Sequence, residues 1–142
     1  MFIDNPNRVL LTGASSGIGQ EIAQQLTAQG WEVWGTSRTS SRLKPRHHFH
    51  AVVMDLSEEQ SIKDGFTLAS RESGGFDVLI NNAGAGVFGP TTLVSPEIAR
   101  EQFQILVHGP LELIRLAVPY MRQRQRGLII NISSLAANYP IP

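Results

Sequence analysis

No cysteine occurs in these 142 residues. Its absence excludes a disulfide framework and a thiolate metal site. It also fits a reducing compartment, so a cytoplasmic protein is expected. Lysine is scarce, with Lys44 and Lys63 the only two. Charge of one sign is not in excess: 12 basic residues balance 12 acidic ones. Neither nucleic acid nor a membrane surface is therefore an expected partner. Residues 1–8 have no apolar signal core, and no apolar run approaches the roughly 20 residues that span a bilayer. The length suits one domain covering residues 1–142, enough to bury a core.

Strand-like and helix-like segments alternate, which predicts an α/β fold with a parallel sheet. The strand segments are continuous apolar runs, as expected when both faces of a sheet are covered. They fall at residues 8–12, 32–37, 51–54, 77–81 and 128–132. A first helix is marked by Ile18, Ile22, Ala23 and Leu26 at helical spacing, with Gly30 as its left-handed terminator. Ser57 and Gln60 make a capping-box pattern for a second helix reaching Arg71. Ser95-Pro96 opens a long helix reaching about Arg124, with bends expected near Pro110 and Pro119. Residues 39–46 are a polar, basic loop. His47, His48 and His50 lie in a loop before a strand, with neither cysteine nor a carboxylate beside them in sequence. A solvated loop, rather than a metal site, is the expectation.

Residues 12–19 read T-G-A-S-S-G-I-G between the first strand and the first helix. Gly13 permits a tight turn, Gly17 removes a side chain where a pyrophosphate approaches, and Gly19 lets the helix pack on the sheet. The helix N-terminus then offers free N–H groups and a positive dipole end, and Ser15 and Ser16 add hydroxyls. The lysine that a P-loop requires is missing.

The spacing Gly13-x-x-x-Gly17-x-Gly19 resembles the short-chain dehydrogenase/reductase family. Further segments match it in order: Asp55 and Leu56 in M-D-L-S; Asn81-Asn82-Ala83-Gly84 after the fourth strand; the helix segment at residues 108–121; and N-I-S-S at residues 131–134. The resemblance implies a Rossmann-type, doubly wound α/β/α fold of about five strands. It implies hydride transfer between a nicotinamide cofactor and a carbonyl or secondary alcohol. It also implies cofactor contacts from Gly13, Ser15, Ser16, Gly17, Ile18, Gly19, Ser37, Arg38, Asp55, Leu56, Asn82, Ala83 and Gly84. Asp55 matches the acid that bonds the adenine amino group. Ser134 matches the catalytic serine, with Ser133 the alternative if the register slips. A homo-oligomer built through the long helix is implied as well.

In this fold an acid at the end of the second strand selects NAD, whereas an arginine there accommodates the NADP 2′-phosphate. Ser37 occupies the acid's position and Arg38 follows it, so NADP(H) is favoured over NAD(H). Arg42 and Lys44 are candidate helpers from the loop.

Two features depart from the family pattern. The proton-donating Tyr-x-x-x-Lys pair does not occur: Tyr120 and Tyr139 are the only tyrosines, neither is followed by such a lysine, and eight residues follow Ser134. A cofactor-binding portion, inactive alone and prone to associate through an uncovered L-I-I-N-I strand, is the expectation. The helix position where the family carries an asparagine is Leu106, which cannot bond a relay water. Either the relay is dispensable, or His108 or a substrate group stands in. The rival to an enzyme is a non-catalytic nucleotide-binding sensor or partner domain. The substrate is not legible in the sequence.

Overall fold

The computed structural model describes residues 7–87 and 89–138. Tyr139 lies outside the described residues. Five parallel strands are ordered β3-β2-β1-β4-β5. They are β1 (Arg8–Leu11), β2 (Glu32–Ser37), β3 (Phe49–Val53), β4 (Val78–Asn81) and β5 (Leu128–Asn131). The helices are α1 (Gly17–Ala28), α2 (Glu59–Ser73), α3 (Pro96–Phe103) and α4 (Gly109–Gln123). Each strand end lies within two residues of its expected position. Among the described residues, no helix is long and apolar enough to cross a membrane.

The period of two in a strand explains the layers. Val9 and Leu11 of β1 join Val33, Ile80 and the α1 residue Ala23 on one face. Leu10 joins Trp34, Leu79, Ile62 and Phe66 of α2, and Leu113 and Ala117 of α4 on the other. β1 is thus buried on both faces, which is why its run is apolar without alternation. β5 is covered less well, and Leu128 is exposed.

Chain order reverses at β1, which pairs in parallel with β2 on one side and β4 on the other. A crevice forms at the carboxyl ends of strands at such a switch point. At the opposite end, Asp77 collects three arginines. It accepts from the Arg8 backbone N–H at 3.0 Å and the Arg126 Nε at 3.0 Å, and Arg124 lies 3.5 Å away. This cluster ties the starts of β1, β4 and β5 together.

The structure corrects three expectations. The Ser57–Gln60 capping box does not form. Ser57 turns back, its N–H and its hydroxyl both donating to Asp55 Oδ1 at 2.9 and 2.7 Å. Glu58 is the N-cap of α2, and Gln60 bonds Asp64 instead. The helix runs on to Ser73, where Gly74 in a left-handed conformation ends it.

The long helix is not one α-helix bent at its prolines. A π-helical turn, Gln104–His108, separates α3 from α4. Pro110 lacks an N–H to close the ordinary bond at this point, the Gly109 N–H donates to the Gln104 carbonyl, and Gln104 Nε2 donates to the Leu56 carbonyl at 3.3 Å. Pro119 is accommodated inside α4.

The histidines are not simply a solvated loop. His50 lies in β3 and stacks on Trp34, with ring centroids 4.3 Å apart. The Glu32 carboxylate meets His48 Nδ1 at 2.6 Å and His50 Nε2 at 2.7 Å. The carboxylate comes from β2, a neighbour in space rather than in sequence. The described residues hold no cluster suited to a metal ion.

Burial pushes the Glu32 carboxyl up, but the hydrogen bonds from His50 and His48 outweigh it and hold the group below its usual 4.5. A depressed acid contributes stability above its unfolded pKa and loses it as pH falls through its folded one. Glu32→Gln is therefore expected to lower stability by under about 1 kcal/mol at pH 7, because the pair is partly exposed. It should also flatten the acid limb of a denaturation series below pH 4.5. An unchanged acid limb would contradict this.

Candidate cofactor-binding site

A cleft of about 360 Å³ opens at the switch point. Its floor is the turn between β1 and α1, contributing Gly13, Ser15, Ser16, Ile18 and Gly19. One wall comes from the end of β2 and the following loop: Thr36, Ser37, Arg38 and Arg42. Another is Met54, Asp55 and Leu56 after β3. The segment after β4 supplies Asn82, Ala83, Gly84 and Ala85, and the π-turn supplies Ile105.

The glycine turn is shaped from below and open above. Gly13 has φ +69, and a Cβ there would meet the Ala83 Cα at 2.8 Å. A Cβ at Gly19 would collide with the Gly13 carbonyl and the Asn82 amide. Gly17 has φ +52 and no atom within 4 Å of where its Cβ would be. The first two glycines let the protein pack, and the third leaves space over the N-terminus of α1. Ser16 is the N-cap of α1 but makes no side-chain capping bond. The leading N–H groups of the helix therefore lack that partner and are suited to an anion. Ile18, placed by its spacing on the core face, is 65% exposed and lines the cleft instead.

Thr12 supports the cleft from beneath, and the sequence reading passes over it as the end of a strand. It is fully buried. Its Oγ1 accepts from the backbone N–H groups of Asn82 and Ala83, both at 3.0 Å. Asn82 Nδ2 donates back to the Thr12 carbonyl at 3.0 Å and the Gly13 carbonyl at 3.3 Å. The loop after β4 is thereby stitched to the glycine turn. The signal was present in two motifs, T-G and N-N-A-G, but their pairing depends on β1 and β4 being neighbours.

Asp55 has one oxygen committed to Ser57, and its backbone N–H donates to Ser61 Oγ at 2.9 Å. Among the described residues, its Oδ2 makes no hydrogen bond, so a donor entering the cleft has an acceptor there. Ser37 is buried and Arg38 is exposed. Among the described residues, no carboxylate other than Asp55 lines the cleft.

Ser134 is not among the cleft-lining residues. It sits beyond β5 as the N-cap of a short 3-10 turn, where its Oγ accepts from the Ala136 N–H at 3.1 Å. Ser133 is exposed nearby. β5 does, however, pair with β4, and Asn81 Nδ2 donates to Asn131 Oδ1 across that pair at 2.8 Å. The serines therefore leave the sheet next to the strand that carries Asn82 into the cleft. Leu106 lies on the π-turn close to Gly84, while His108 is exposed and lines no part of the cleft.

Comparison with known proteins agrees with this geometry. The family profile described as short chain dehydrogenase matches residues 7–142. A 3-ketodihydrosphingosine reductase from Bacteroides thetaiotaomicron is 39% identical over 96% of this chain and 50% of its own length. A metagenomic short-chain oxidoreductase solved in complex with NADP is 34% identical, with a TM-score of 0.89, over 95% of this chain and 64% of that one. A 3-ketoacyl-(acyl-carrier-protein) reductase from Brucella melitensis, solved with NADH, is 27% identical with the same TM-score. It covers 96% of this chain, which covers 60% of it. The chain thus spans about half the length of curated relatives that it matches.

Proposed function

Because the chain belongs to the short-chain dehydrogenase family, we propose that it forms the NADP(H)-binding part of a reductase acting on a ketone or secondary alcohol. The observation that carries this reading is the cleft at the switch point, where a helix N-terminus faces open space above Gly17 and Arg38 follows Ser37 with no acid at the end of β2. Relatives solved with NADP and with NADH both exist, so the preference rests on Arg38 and Ser37. The keto-substrate name of the Bacteroides relative supports a carbonyl substrate.

The residues fit the cofactor. The glycine turn and the N-terminus of α1 would hold its pyrophosphate, Asp55 its adenine amino group and Arg38 its 2′-phosphate. Bound nicotinamide supplies a hydride to a carbonyl carbon, or accepts one from an alcohol. Ser134 accepts from Ala136 N–H, which leaves its O–H to donate to a substrate carbonyl oxygen as negative charge develops there. The proton donor is assigned to sequence outside these 142 residues, so turnover is a property of the longer protein. Leu106 removes a side-chain amide from the usual relay position, and His108, the nearby alternative, is exposed and does not line the cleft.

In fluorescence titrations of the full-length protein, NADPH is expected to bind at least about tenfold more tightly than NADH, as a charge-assisted phosphate contact implies. Arg38→Asp should reverse that order by weakening NADPH far more than NADH. Equal losses for the two cofactors would refute the preference. NADPH binding without turnover of any ketone by the full-length protein would favour the sensor reading.

A further inference from the structure

One wall of the cleft, residues 54–56, belongs to neither a strand nor a helix. Its shape depends on tethers from outside. The Met54 N–H donates to the Ser37 carbonyl at 2.9 Å. The Asp55 N–H donates to Ser61 Oγ at 2.9 Å, and its Oδ1 accepts both donors of Ser57. These partners lie on β2 and around the start of α2. The Leu56 carbonyl is held differently: it accepts from Gln104 Nε2 on the π-turn, 48 positions away.

The π-turn is docked on that wall. In an α-helix the Gly109 N–H would meet the Ile105 carbonyl; here it reaches the carbonyl of Gln104, one residue farther back, and the turn widens. Such turns are rare and gather at functional sites. The contacts that offset this one lie against residues 54–56. Ile105 is 7% exposed, shares a buried cluster with Met54 and Leu56, and lines the cleft. Gly109 abuts the wall: a Cβ there would stand 3.2 Å from Leu56 Cβ and 3.3 Å from the Leu56 carbonyl oxygen. Gln104, half-buried, adds the hydrogen bond. Turn and wall thus form one unit, with Ile105 and Asp55 both lining the cleft.

The chemistry at Asp55 depends on that docking. Among the described residues, its Oδ2 makes no hydrogen bond, so it offers an acceptor to the exocyclic amino group of a purine. A hydrogen bond weakens steeply once its angle closes. The carboxylate therefore reads the base only if it is held at a fixed offset from the apolar surface that the base rests on. Ile105 supplies such a surface. Gln104 precedes Ile105 and grips the carbonyl that follows Asp55, so one side chain sets the spacing between the two.

We propose that Gln104 is a positioning residue for base selection: through the Leu56 carbonyl it fixes Asp55 relative to Ile105, so that the cleft takes a 6-aminopurine in preference to a 6-oxopurine. The proposal rests on the nucleotide-binding reading above and deepens it.

The test is calorimetric titration of the full-length protein with 5′-AMP and with 5′-IMP, whose purines carry an amino group and an oxygen at the 6-position. Wild type should bind 5′-AMP about tenfold more tightly, as one hydrogen bond to a charged group implies. Asp55→Asn adds a donor and should swing the preference toward 5′-IMP. Gln104→Glu keeps the shape of the side chain but cannot donate to a carbonyl when ionised; Gln104→Leu removes its polarity altogether. Both should shrink the preference to about twofold, because a small misplacement is enough to lose an oriented contact. The ratio is the readout, since an added charge acts on both nucleotide phosphates alike. A role in stability alone would lower Tm and leave the ratio intact. If Gln104→Glu discriminates as wild type does, Gln104 does not position Asp55 and the proposal is overturned, whether or not Gln104→Leu folds. If wild type binds 5′-AMP and 5′-IMP equally, Asp55 does not read the base and this proposal alone falls. If wild type binds neither 5′-AMP nor NADPH, the nucleotide-binding reading fails and takes the proposal with it.

Discussion

Replacing Asp77 with alanine is expected to remove about 3 kcal/mol of folding stability, near the lower end of the range for breaking a buried ion pair. Asp77 is 4% exposed at its side chain, whereas Arg8, Arg124 and Arg126 keep 20%, 28% and 29%. Without the carboxylate, three guanidiniums remain close together, and residual solvent access is what keeps the cost from being higher. Arg8 retains a bond to the Ser73 carbonyl at 2.9 Å, and Arg124 retains the Gly74 and Gly75 carbonyls. For a chain of this size the loss corresponds to a fall of about 10 °C in Tm.

The acid side gives an independent check. Burial pushes the Asp77 carboxyl up, but hydrogen bonds from Arg126 and the Arg8 backbone, with the charges of both, overcome it and hold the group below 3.8. Its contribution is complete above pH 3.8 and disappears as pH falls through the lowered value. The wild-type and Asp77→Asn stability curves should therefore converge in strong acid. Parallel curves would mean that the aspartate is not the ionised hub of this cluster. Nucleotide affinity should be little altered in either variant at temperatures where it is folded, because the cluster lies at the opposite end of the strands from the cleft.

The second large effect is expected at the glycine turn, where two substitutions of the same size should fail differently. Gly19→Ala places a methyl group against the Gly13 carbonyl and the Asn82 amide. Because backbone rather than a flexible side-chain tip must yield, destabilisation of about 1–3 kcal/mol is expected, with loss of nucleotide binding. Gly17→Ala meets no atom within 4 Å. Its cost to folding is limited to about 1–2 kcal/mol for holding alanine at a left-handed φ. Its methyl group, however, occupies the space over the α1 N-terminus that the phosphates require. NADPH affinity should fall at least about 100-fold, as expected where a close backbone approach is blocked. Melting curves and NADPH titrations of the two variants separate these effects. Tight NADPH binding by a folded Gly17→Ala protein would show that the pyrophosphate lies elsewhere.

These expectations differ in how far sequence alone could reach them. The glycine turn was legible because its requirements are local. A tight turn, a missing side chain and a helix start must lie within a few residues of one another, and residues 12–19 contain all three. β1, β2 and β4 were legible because burial on both faces leaves an apolar run whatever the partners are. Gly30 was readable as a helix end for the same local reason, and it has positive φ.

The misplaced details share the opposite property. Ser57 had the right spacing for a capping box but found a better partner in Asp55, two residues back. Pro110 and Pro119 both announced a bend, yet the α-helical pattern gives way only at the π-turn before Pro110, where Gln104 reaches Leu56 across 48 positions, and α4 continues through Pro119 with that one N–H missing. The histidines seemed to lack a carboxylate because Glu32 is 16 and 18 residues away in sequence.

The chain by itself thus determined the glycine-rich turn, the alternation of strands and helices, and the absence of an acid at Ser37. Each of these is a statement about neighbouring residues and the backbone conformations they permit. Only the tertiary structure decided which arginines face the cleft, that Thr12 joins the glycine turn to Asn82, and that Asp77 gathers Arg8, Arg124 and Arg126 from across the sheet. Those pairings are made by strand order, which brings residues 47 to 71 positions apart within 3.5 Å of one another. No periodicity or motif in the intervening sequence records that proximity.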